Sequence, residues 1–384
     1  MGKTPASIIR RGAHGILDWV RASNGVHDSA SLEDTPLNLR FFRISRLKPY
    51  PFEVVSWLGL LTVVIFLRSH DLRIDWTTVD YLVLPFIPIM GKIFCLGIVM
   101  QMVLSRVTGQ SLKTYLKTIF SARWIALTVR LLIVVLIFNY NYFWLKVCVP
   151  LVNFRLWDEA YWKLDIWLHF GYSPSVLLVE LFTGTGLAGW VDSWYQLWHY
   201  TTLFAVAFFV SAASPRIRRP FILSCVLIWT VGAWLYVATP ALGPIYVYQE
   251  TWTELISEMP SARNSQVALW NNYQKMIAGR TGGLRQFNPT QGIAAMPSLH
   301  VGFHWLLMLW IRRQVRPLYM PAVVAVGLTF LGSIVTGWHY AVDGYVGIVL
   351  AQLAFWISLR TETSRRTETG QTKALDNNLQ TSTS

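Results

Sequence analysis

Two histidines near the start of an apolar segment are the first residues of this sequence that could do chemistry. In AAMPSLHVGFHWLLMLW, residues 294–310, Ser298 precedes His300 and His304, which are one helical turn apart. Ser298 suits a helix N-cap, so His300 would lie in the first turn, where free backbone N–H groups and the helix dipole favour negative charge. The stretch therefore predicts a site for phosphate or another anion.

A second polar pair follows in TGWHYAVDGYVG, residues 336–347. His339 and Asp343 are four residues apart, so on a helix the carboxylate would lie beside the imidazole and fix its tautomer. The apolar segment before this pair, residues 317–336, is long enough to return the chain to the membrane face that it left after His300. Both motifs are therefore expected at the same face.

Simpler interpretations apply to single members of this set. An isolated histidine at a helix end is usually a hydrogen-bonded interface residue, and for His304 we prefer that interpretation to a direct role. The pairs His300 with His304 and His339 with Asp343 could also converge on a metal ion. The chain has no HExxH motif and only eight histidines, so we expect neither a metal nor another cofactor.

The composition is that of a polytopic membrane protein. Of 384 residues, 53% are hydrophobic and 14% are charged. A helix needs about 20 apolar residues to cross a hydrocarbon core. The hydrophobic runs predict an all-α bundle of about eight spans, at residues 52–67, 82–104, 124–150, 194–211, 220–238, 297–311, 317–336 and 341–359. The first and sixth are short enough to be re-entrant instead.

The net charge of +13 is a topology signal. Loops 105–123, 212–219 and 312–316 contain Lys and Arg without acidic residues, whereas acidic residues outnumber basic ones in the alternate loops. An excess of Lys and Arg marks the cytoplasmic side. We therefore expect cytoplasmic termini, an extracytoplasmic active site, the lipid bilayer as a partner and no nucleic acid. The membrane itself, plasma or inner membrane or an endomembrane, stays open.

The chain is expected to have four parts. These are a cytoplasmic segment at 1–51, three accessory spans at 52–150, a catalytic helical domain at 151–359 and a disordered cytoplasmic tail at 360–384. Within the catalytic domain, residues 151–193 contain short apolar stretches typical of interfacial or re-entrant helices. Residues 239–296 form a second long connection, whose Trp, Tyr and Pro content favours an ordered lid.

The two motifs resemble those of the type 2 phosphatidic acid phosphatase superfamily. PSLH at 297–300 is similar to its second motif, PSxH, and His339 with Asp343 is similar to the HxxxD end of its third. The resemblance implies a covalent mechanism, in which His339 attacks phosphorus, Asp343 supports it and His300 protonates the leaving oxygen. It also implies that Ser298 helps to bind the phosphoryl oxygens. An oriented nucleophile beside an acid and an anion site agrees with that chemistry.

The departures from the superfamily pattern concern its cations. The first motif, KxxxxxxRP, is absent, and the Ser-Arg pair of the third motif is Gly332-Ser333 here. Because a phosphomonoester carries nearly two negative charges and a phosphodiester only one, fewer cations favour a diester donor. These omissions, with Asp165, Gly171 and Pro174, resemble the inositol phosphorylceramide synthase branch. Members of that branch transfer a phospho-headgroup from a phospholipid to a lipid alcohol.

Some replacement for the missing cations is expected. The candidates are Arg285, which we place first, and Lys146, Arg263, Lys275 and Arg280. His199 enters the fourth span from the same face and either lines the headgroup pocket or is an interface residue. Arg130 lies within the third span, where a structural role is expected, paired with a carbonyl group or a neighbouring helix.

Two enzymatic hypotheses and one non-enzymatic hypothesis follow. The preferred one is a phosphotransferase that moves a phospho-headgroup from a phospholipid to an alcohol through a phosphohistidine. The alternative is a lipid phosphate or polyprenyl diphosphate phosphatase, in which water resolves the same intermediate. The third is a scaffold or transporter whose histidines do no chemistry. The headgroup, the acceptor and the oligomeric state stay open.

Overall fold

The described part of the protein is built from helices and turns. The computed structural model describes residues 48–72, 86–278 and 288–381, with the side chains of Phe86, His199 and 366–381 left out. No strand occurs within these ranges. The protein is an all-α polytopic membrane protein, as predicted.

The described residues form fourteen α-helices, which we number in chain order. They are α1 Pro51–Ser69, α2 Phe86–Val107, α3 Leu112–Ile119, α4 Ala122–Val152, α5 Asp158–Leu168, α6 Pro174–Phe182, α7 Leu187–Gln196, α8 Trp198–Val210, α9 Pro215–Ala238, α10 Pro244–Val247, α11 Pro260–Ala278, α12 Leu299–Gln314, α13 Tyr319–Val335 and α14 Ala341–Thr381. Three short 3₁₀ turns, Gln249–Trp252, Leu255–Glu258 and Arg316–Leu318, join them.

Six helical segments in the described ranges are long and apolar enough to cross a bilayer, and a seventh arises if the bent pair formed by α6 and α7–α8 is one span. Two predicted spans are shorter than expected. Residues 194–211 are divided between α7 and the 13-residue α8, and residues 297–311 lie in the 16-residue α12. Both fall short of the length of about 20 residues that a straight crossing needs.

The bundle packs around α9. This helix buries Phe221, Cys225 and Val226 completely and contacts α4 on one side and α14 on the other. Helix α12 packs against α14 in turn, and Trp310 of α12 donates a hydrogen bond to Ser224 of α9 at 3.1 Å. The helices that carry the two motifs therefore share one core with α9.

Two arginines, Arg130 and Arg218, make polar contacts with the accessory helices. Arg130 of α4 forms an ion pair with Glu53 of α1 and donates to the Lys48 carbonyl at 3.3 Å. The predicted structural role of Arg130 fits these contacts. Arg218 is fully buried and donates to Thr128 and to the Trp124 carbonyl. These contacts lie far along the chain from both motifs.

The last helix extends beyond its predicted end and into the predicted tail. Helix α14 continues through residue 381 instead of ending near 359. Glu362 forms an ion pair with Arg219 at 2.8 Å, and the Arg365 guanidinium lies 4.1 Å from the centre of the Tyr50 ring. The sequence contains no proline after residue 341 that would end the helix, and these contacts attach its first polar turn to α1 and α9.

The part of the predicted lid that the structure describes covers residues 239–278 and 288–296. It contains α10, two 3₁₀ turns and α11. Asp192 of α7 accepts hydrogen bonds from the backbone N–H groups of Ser261 and Ala262, at 2.8 and 2.9 Å, and so caps α11. The first long connection likewise forms α5, α6 and α7, short helices where short apolar stretches were noted.

The close crossing of α12 and α14 depends on glycine. A Cβ at Gly347 would lie 2.3 Å from the Ser298 carbonyl oxygen, and a Cβ at Gly302 would lie 2.7 Å from the Gly347 carbonyl oxygen. All these atoms belong to helix backbones, which cannot turn aside as a long side chain can. The crossing therefore tolerates no side chain at either position.

We expect Gly347→Ala to lower the free energy of unfolding by about 1–3 kcal/mol, because it overpacks two backbones. Thermal unfolding of the purified protein in detergent measures the change. Gly327→Ala on α13 is the matched control, because its Cβ meets nothing within 4 Å. Alanine favours a helix over glycine by up to about 1 kcal/mol, so the control should be neutral or stabilising. Equal melting temperatures for the two variants would contradict the close crossing.

Candidate active site

His339 lies in the turn between α13 and α14, and its hydrogen bonds define its tautomer. Its Nδ1 is 2.8 Å from the Ala295 carbonyl oxygen, which can only accept. Nδ1 therefore carries the proton and Nε2 has a free lone pair. Asp343 Oδ2 lies 3.4 Å from the same Nδ1, farther away than the Ala295 carbonyl oxygen. Nε2 is consequently the nitrogen of this imidazole whose lone pair is available.

His300 faces that lone pair. It lies in the first turn of α12, and its Nδ1 is 3.2 Å from Nε2 of His339 and 2.8 Å from the Tyr195 hydroxyl oxygen. Because His339 Nε2 has no proton, the hydrogen between the two rings must come from His300. The Trp198 ring covers His300, with 4.1 Å between ring centres. The structure thus brings the two predicted histidines together, with the proton between them on His300 Nδ1.

Asp343 and Ser298 lock the two motifs to each other. The Ser298 backbone N–H donates to the Asp343 carbonyl oxygen at 2.9 Å, and the Tyr340 N–H donates to Asp343 Oδ2 at 2.9 Å. Asp343 is fully buried, and its Oδ1 accepts no hydrogen bond within the described residues. Ser298 is also fully buried, and its hydroxyl caps α12 through the Val301 N–H at 3.5 Å. In this state Ser298 acts as the N-cap.

The lid holds the carbonyl groups of the turn that carries His339. Trp252 Nε1 donates to the Val335 carbonyl at 2.8 Å, and Gln266 Nε2 donates to the Thr336 carbonyl at 2.7 Å. The Ile245 N–H donates to the carbonyl of Gly337, which has a positive φ of 73°. Three successive carbonyl groups therefore point outward to the lid, which fixes the position of the imidazole.

Two buried carboxylates of α5 hold the other side of this turn. Asp165 accepts from the N–H groups of Ala341 and Val342, at 2.7 and 2.8 Å, and so caps α14. Asp158 accepts from the Tyr340 hydroxyl at 2.8 Å and from the N–H of Gly243 at 2.9 Å. Burial raises the pKa of both carboxyl groups, and these hydrogen bonds oppose the shift.

Lys146 is a cation whose charge acts on His339. It is half-buried on α4, and its ammonium group lies 5.7 Å from the Tyr142 ring centre and 5.5 Å from that of Tyr236. Burial, and then the charge of Lys146, lower the pKa of His339 to about 3 against the opposing hydrogen bond to Ala295. His339 is therefore neutral near pH 7, a state in which an imidazole can act as a nucleophile. No ion pair of the described residues includes Lys146.

The other candidates divide into three groups. His304 is buried and bonded to Thr201 at 2.9 Å and to the His300 carbonyl at 2.9 Å, contacts that fit a packing role. Arg263 and Lys275 are exposed on α11. Arg280 and Arg285 lie outside the described residues, as does the side chain of His199, whose backbone is in the first turn of α8. Within the described ranges, no three His, Cys, Asp or Glu residues are grouped to hold a metal ion.

Sequence reasoning missed Tyr195 and Asp158. Tyr195 belongs to α7 and contacts His300 across 105 positions of the chain, and Asp158 contacts Tyr340 across 182. A periodic pattern reports only neighbours three or four residues apart. The local feature that could have identified Tyr195 is the group of polar residues in DSWYQLWHY, just before an apolar segment.

The arrangement defines a class of protein. A neutral histidine whose Nε2 lone pair is available, a second histidine that can supply a proton and a buried carboxyl group are the kinds of group that nucleophilic and general acid catalysis use. A family profile described as the PAP2 superfamily matches residues 159–357, more than half of the chain. The chain belongs to the PAP2 superfamily and is a phosphatase or phosphotransferase enzyme. No curated protein and no solved structure matches it.

Asp165→Asn tests the cap of α14. An amide has one acceptor oxygen, so one of the two N–H groups would face the NH₂ group of Asn. We expect a loss of about 1–3 kcal/mol of stability and a fall in turnover, because the His339 turn loses its support. Detergent thermal unfolding and lipid turnover measure the two effects. Glu159→Gln on the same helix, exposed and paired with Lys163, should change neither; parallel losses in both variants would contradict the cap.

Proposed function

We propose that this protein is a membrane lipid phosphotransferase that moves a phospho-headgroup from a phospholipid donor to a lipid alcohol. The observation that carries the proposal is the charge of the site. Around the two histidines the described side chains supply one cation, Lys146, and neutral donors such as the Tyr195 hydroxyl. A phosphodiester carries one negative charge, so a site with one cation suits a diester donor better than a phosphomonoester.

The transfer takes two steps at one pair of atoms. His339 Nε2 attacks the donor phosphorus, the bond between phosphorus and the diacylglycerol oxygen breaks, and His300 Nδ1 gives its proton to that oxygen. The hydroxyl of the acceptor then returns a proton to His300, and its oxygen attacks phosphorus as the bond to Nε2 breaks. The phosphoryl group occupies the space between the rings, so it displaces the 3.2 Å contact between them.

The buried groups behind His339 stabilise the intermediate. When phosphorus binds to Nε2 the imidazole ring becomes cationic, and Nδ1–H is held by the Ala295 carbonyl at 2.8 Å and by the Asp343 carboxylate at 3.4 Å. A hydrogen bond to a charged group is stronger than one between neutral groups. Asp343 therefore acts as the support that the motif resemblance implies.

The phosphoryl oxygens are proposed to bind Lys146 and the free N–H groups at the start of α12. Ser298 would contribute after its hydroxyl leaves the Val301 N–H. Arg285 and His199 remain our candidates for further contacts with the headgroup. The resemblance to the inositol phosphorylceramide synthase branch suggests an inositol phosphate headgroup. The distribution of Lys and Arg supports an extracytoplasmic site with cytoplasmic termini.

An apolar cavity beside the lid suits a lipid chain. It has a volume of about 250 Å³ and lies between the end of α4, the 240–242 segment and α11. Val149 and Pro150, one turn beyond Lys146, form part of its wall, and Tyr273 and Ile277 form another. A cavity of about 150 Å³ already holds a benzene-sized apolar molecule. A chain here would leave its phosphate within reach of the Lys146 end of α4.

The donor assay separates transfer from hydrolysis. Purified protein in lipid vesicles receives phosphatidylinositol, phosphatidic acid or polyprenyl diphosphate, each labelled in its phosphate, with and without a long-chain alcohol. We expect diacylglycerol and a new labelled phospholipid from the diester, formed only with the alcohol. Release of free phosphate from the two monoester-type donors would instead establish a phosphatase. His339→Ala should abolish turnover, whereas His70→Ala, at the exposed end of α1, should not.

Lys146→Met tests the proposed phosphate contact. Losing a charged partner costs about 1.5–3 kcal/mol, so we expect KM for the diester donor to rise about tenfold or more. Steady-state kinetics with the labelled diester measure the change. Lys163→Met, an exposed lysine paired with Glu159, is the control and should leave KM unchanged. An unchanged KM in Lys146→Met would contradict the proposed phosphate contact of Lys146. Arg285→Met would then test whether Arg285 binds the phosphate instead.

A further inference from the structure

Tyr195 belongs to neither motif, and its hydroxyl group contacts His300. It lies near the end of α7 and is only 2% exposed. Its hydroxyl oxygen is 2.8 Å from His300 Nδ1, the same nitrogen that faces the nucleophile. Its ring also meets the His300 ring edge to face, with 5.6 Å between centres. Tyr195 therefore fixes both the position and the tilt of this imidazole.

Gly332 of α13 makes room for the Tyr195 ring. A Cβ at Gly332 would lie 3.0 Å from Tyr195 Cδ2 and 3.3 Å from its Cβ. Both distances are shorter than ordinary carbon contacts of about 3.5–4.0 Å. Gly332 is the first residue of the altered third motif. Because it has no side chain, the Tyr195 ring can occupy the space beside it. This departure from the superfamily pattern therefore makes room for a phenol at the site.

A phenol suits the proton cycle of His300. While Nδ1 carries a proton, that proton is shared between His339 Nε2 and the Tyr195 oxygen, and both can accept it; after Nδ1 has given the proton away, the Tyr195 O–H can rotate and donate to the nitrogen. Guanidinium and ammonium groups can only donate, and phenylalanine can do neither. Tyr195 can therefore hold the ring in place both before and after each proton transfer.

We infer that Tyr195 is the positioning residue of the general acid: its hydroxyl holds His300 beside the leaving oxygen through the whole cycle, in space that Gly332 provides. The inference rests on the proposed function, because it assigns Tyr195 to the proton step of that reaction. Tyr195 touches neither phosphorus nor the leaving group in this scheme. Its effect should therefore depend on how much the leaving group needs a proton.

Two donors that differ in the leaving group test the inference. Diacylglycerol leaves as a poor alkoxide and needs the proton, whereas p-nitrophenolate of a p-nitrophenyl phosphodiester leaves without one. With the phospholipid donor we expect Tyr195→Phe to lower kcat about tenfold, the value of one hydrogen bond of about 1.4 kcal/mol, and to leave KM unchanged. With the p-nitrophenyl donor the rate of p-nitrophenol release in the first turnover, which needs no proton from His300, should fall less than twofold. Gly332→Ala should show the same selectivity, because its Cβ displaces the ring.

Tyr115→Phe is the matched control. Tyr115 is also buried and also loses one hydrogen bond, to the Ser211 carbonyl at 3.1 Å, but it lies on α3 away from the histidines. It should change kcat for neither donor. An equal loss on both donors in Tyr195→Phe, or no loss on either, would overturn the positioning role while leaving the transferase proposal intact. A wild-type protein that turns over neither donor would overturn the proposed function itself, and this inference with it.

Discussion

Buried carboxylates that accept main-chain N–H groups are the constraint on which the site depends. Asp158, Asp165, Asp192 and Asp343 are each at most 3% exposed, and no ion pair of the described residues joins them to Lys or Arg. A desolvated carboxylate must be hydrogen-bonded to be tolerated. Here the donors are the N–H groups of loops and helix starts. Because each carboxylate needs these hydrogen bonds, it holds one segment of backbone in position.

The same principle keeps the catalytic pair nearly free of charge. Burial and Lys146 favour neutral His339, and Tyr195 offers His300 a neutral partner. A neutral site costs less to bury than a cluster of arginines would. In the proposed mechanism, the positive charge on the His339 ring of the intermediate would lie beside the carboxyl group of Asp343. The groups that would stabilise this charge are in position before the reaction, and such electrostatic preorganisation lowers a barrier.

Much of the site was predictable because its motifs are local. The spacing of His339 and Asp343 and the N-cap at Ser298 identify two helix starts, and the length of the intervening apolar segment predicts that they lie at one face. The structure brings the two histidines within 3.2 Å. The end of the last helix was less predictable: the predicted span ends at residue 359, whereas α14 continues, and its residues Glu362 and Arg365 contact α9 and the Tyr50 ring.

The sequence by itself determined the helical class, the membrane setting and the identity of the two motifs, because hydrophobic length and i, i+4 spacing are properties of neighbouring residues. Only the tertiary structure decided which nitrogen of His339 is free, that Asp165 caps α14, that Lys146 approaches the pair and that Tyr195 holds His300. Each of these depends on segments brought together from distant parts of the chain, such as the 44 positions between Ala295 and His339. Packing selects such partners, and no local periodicity encodes them.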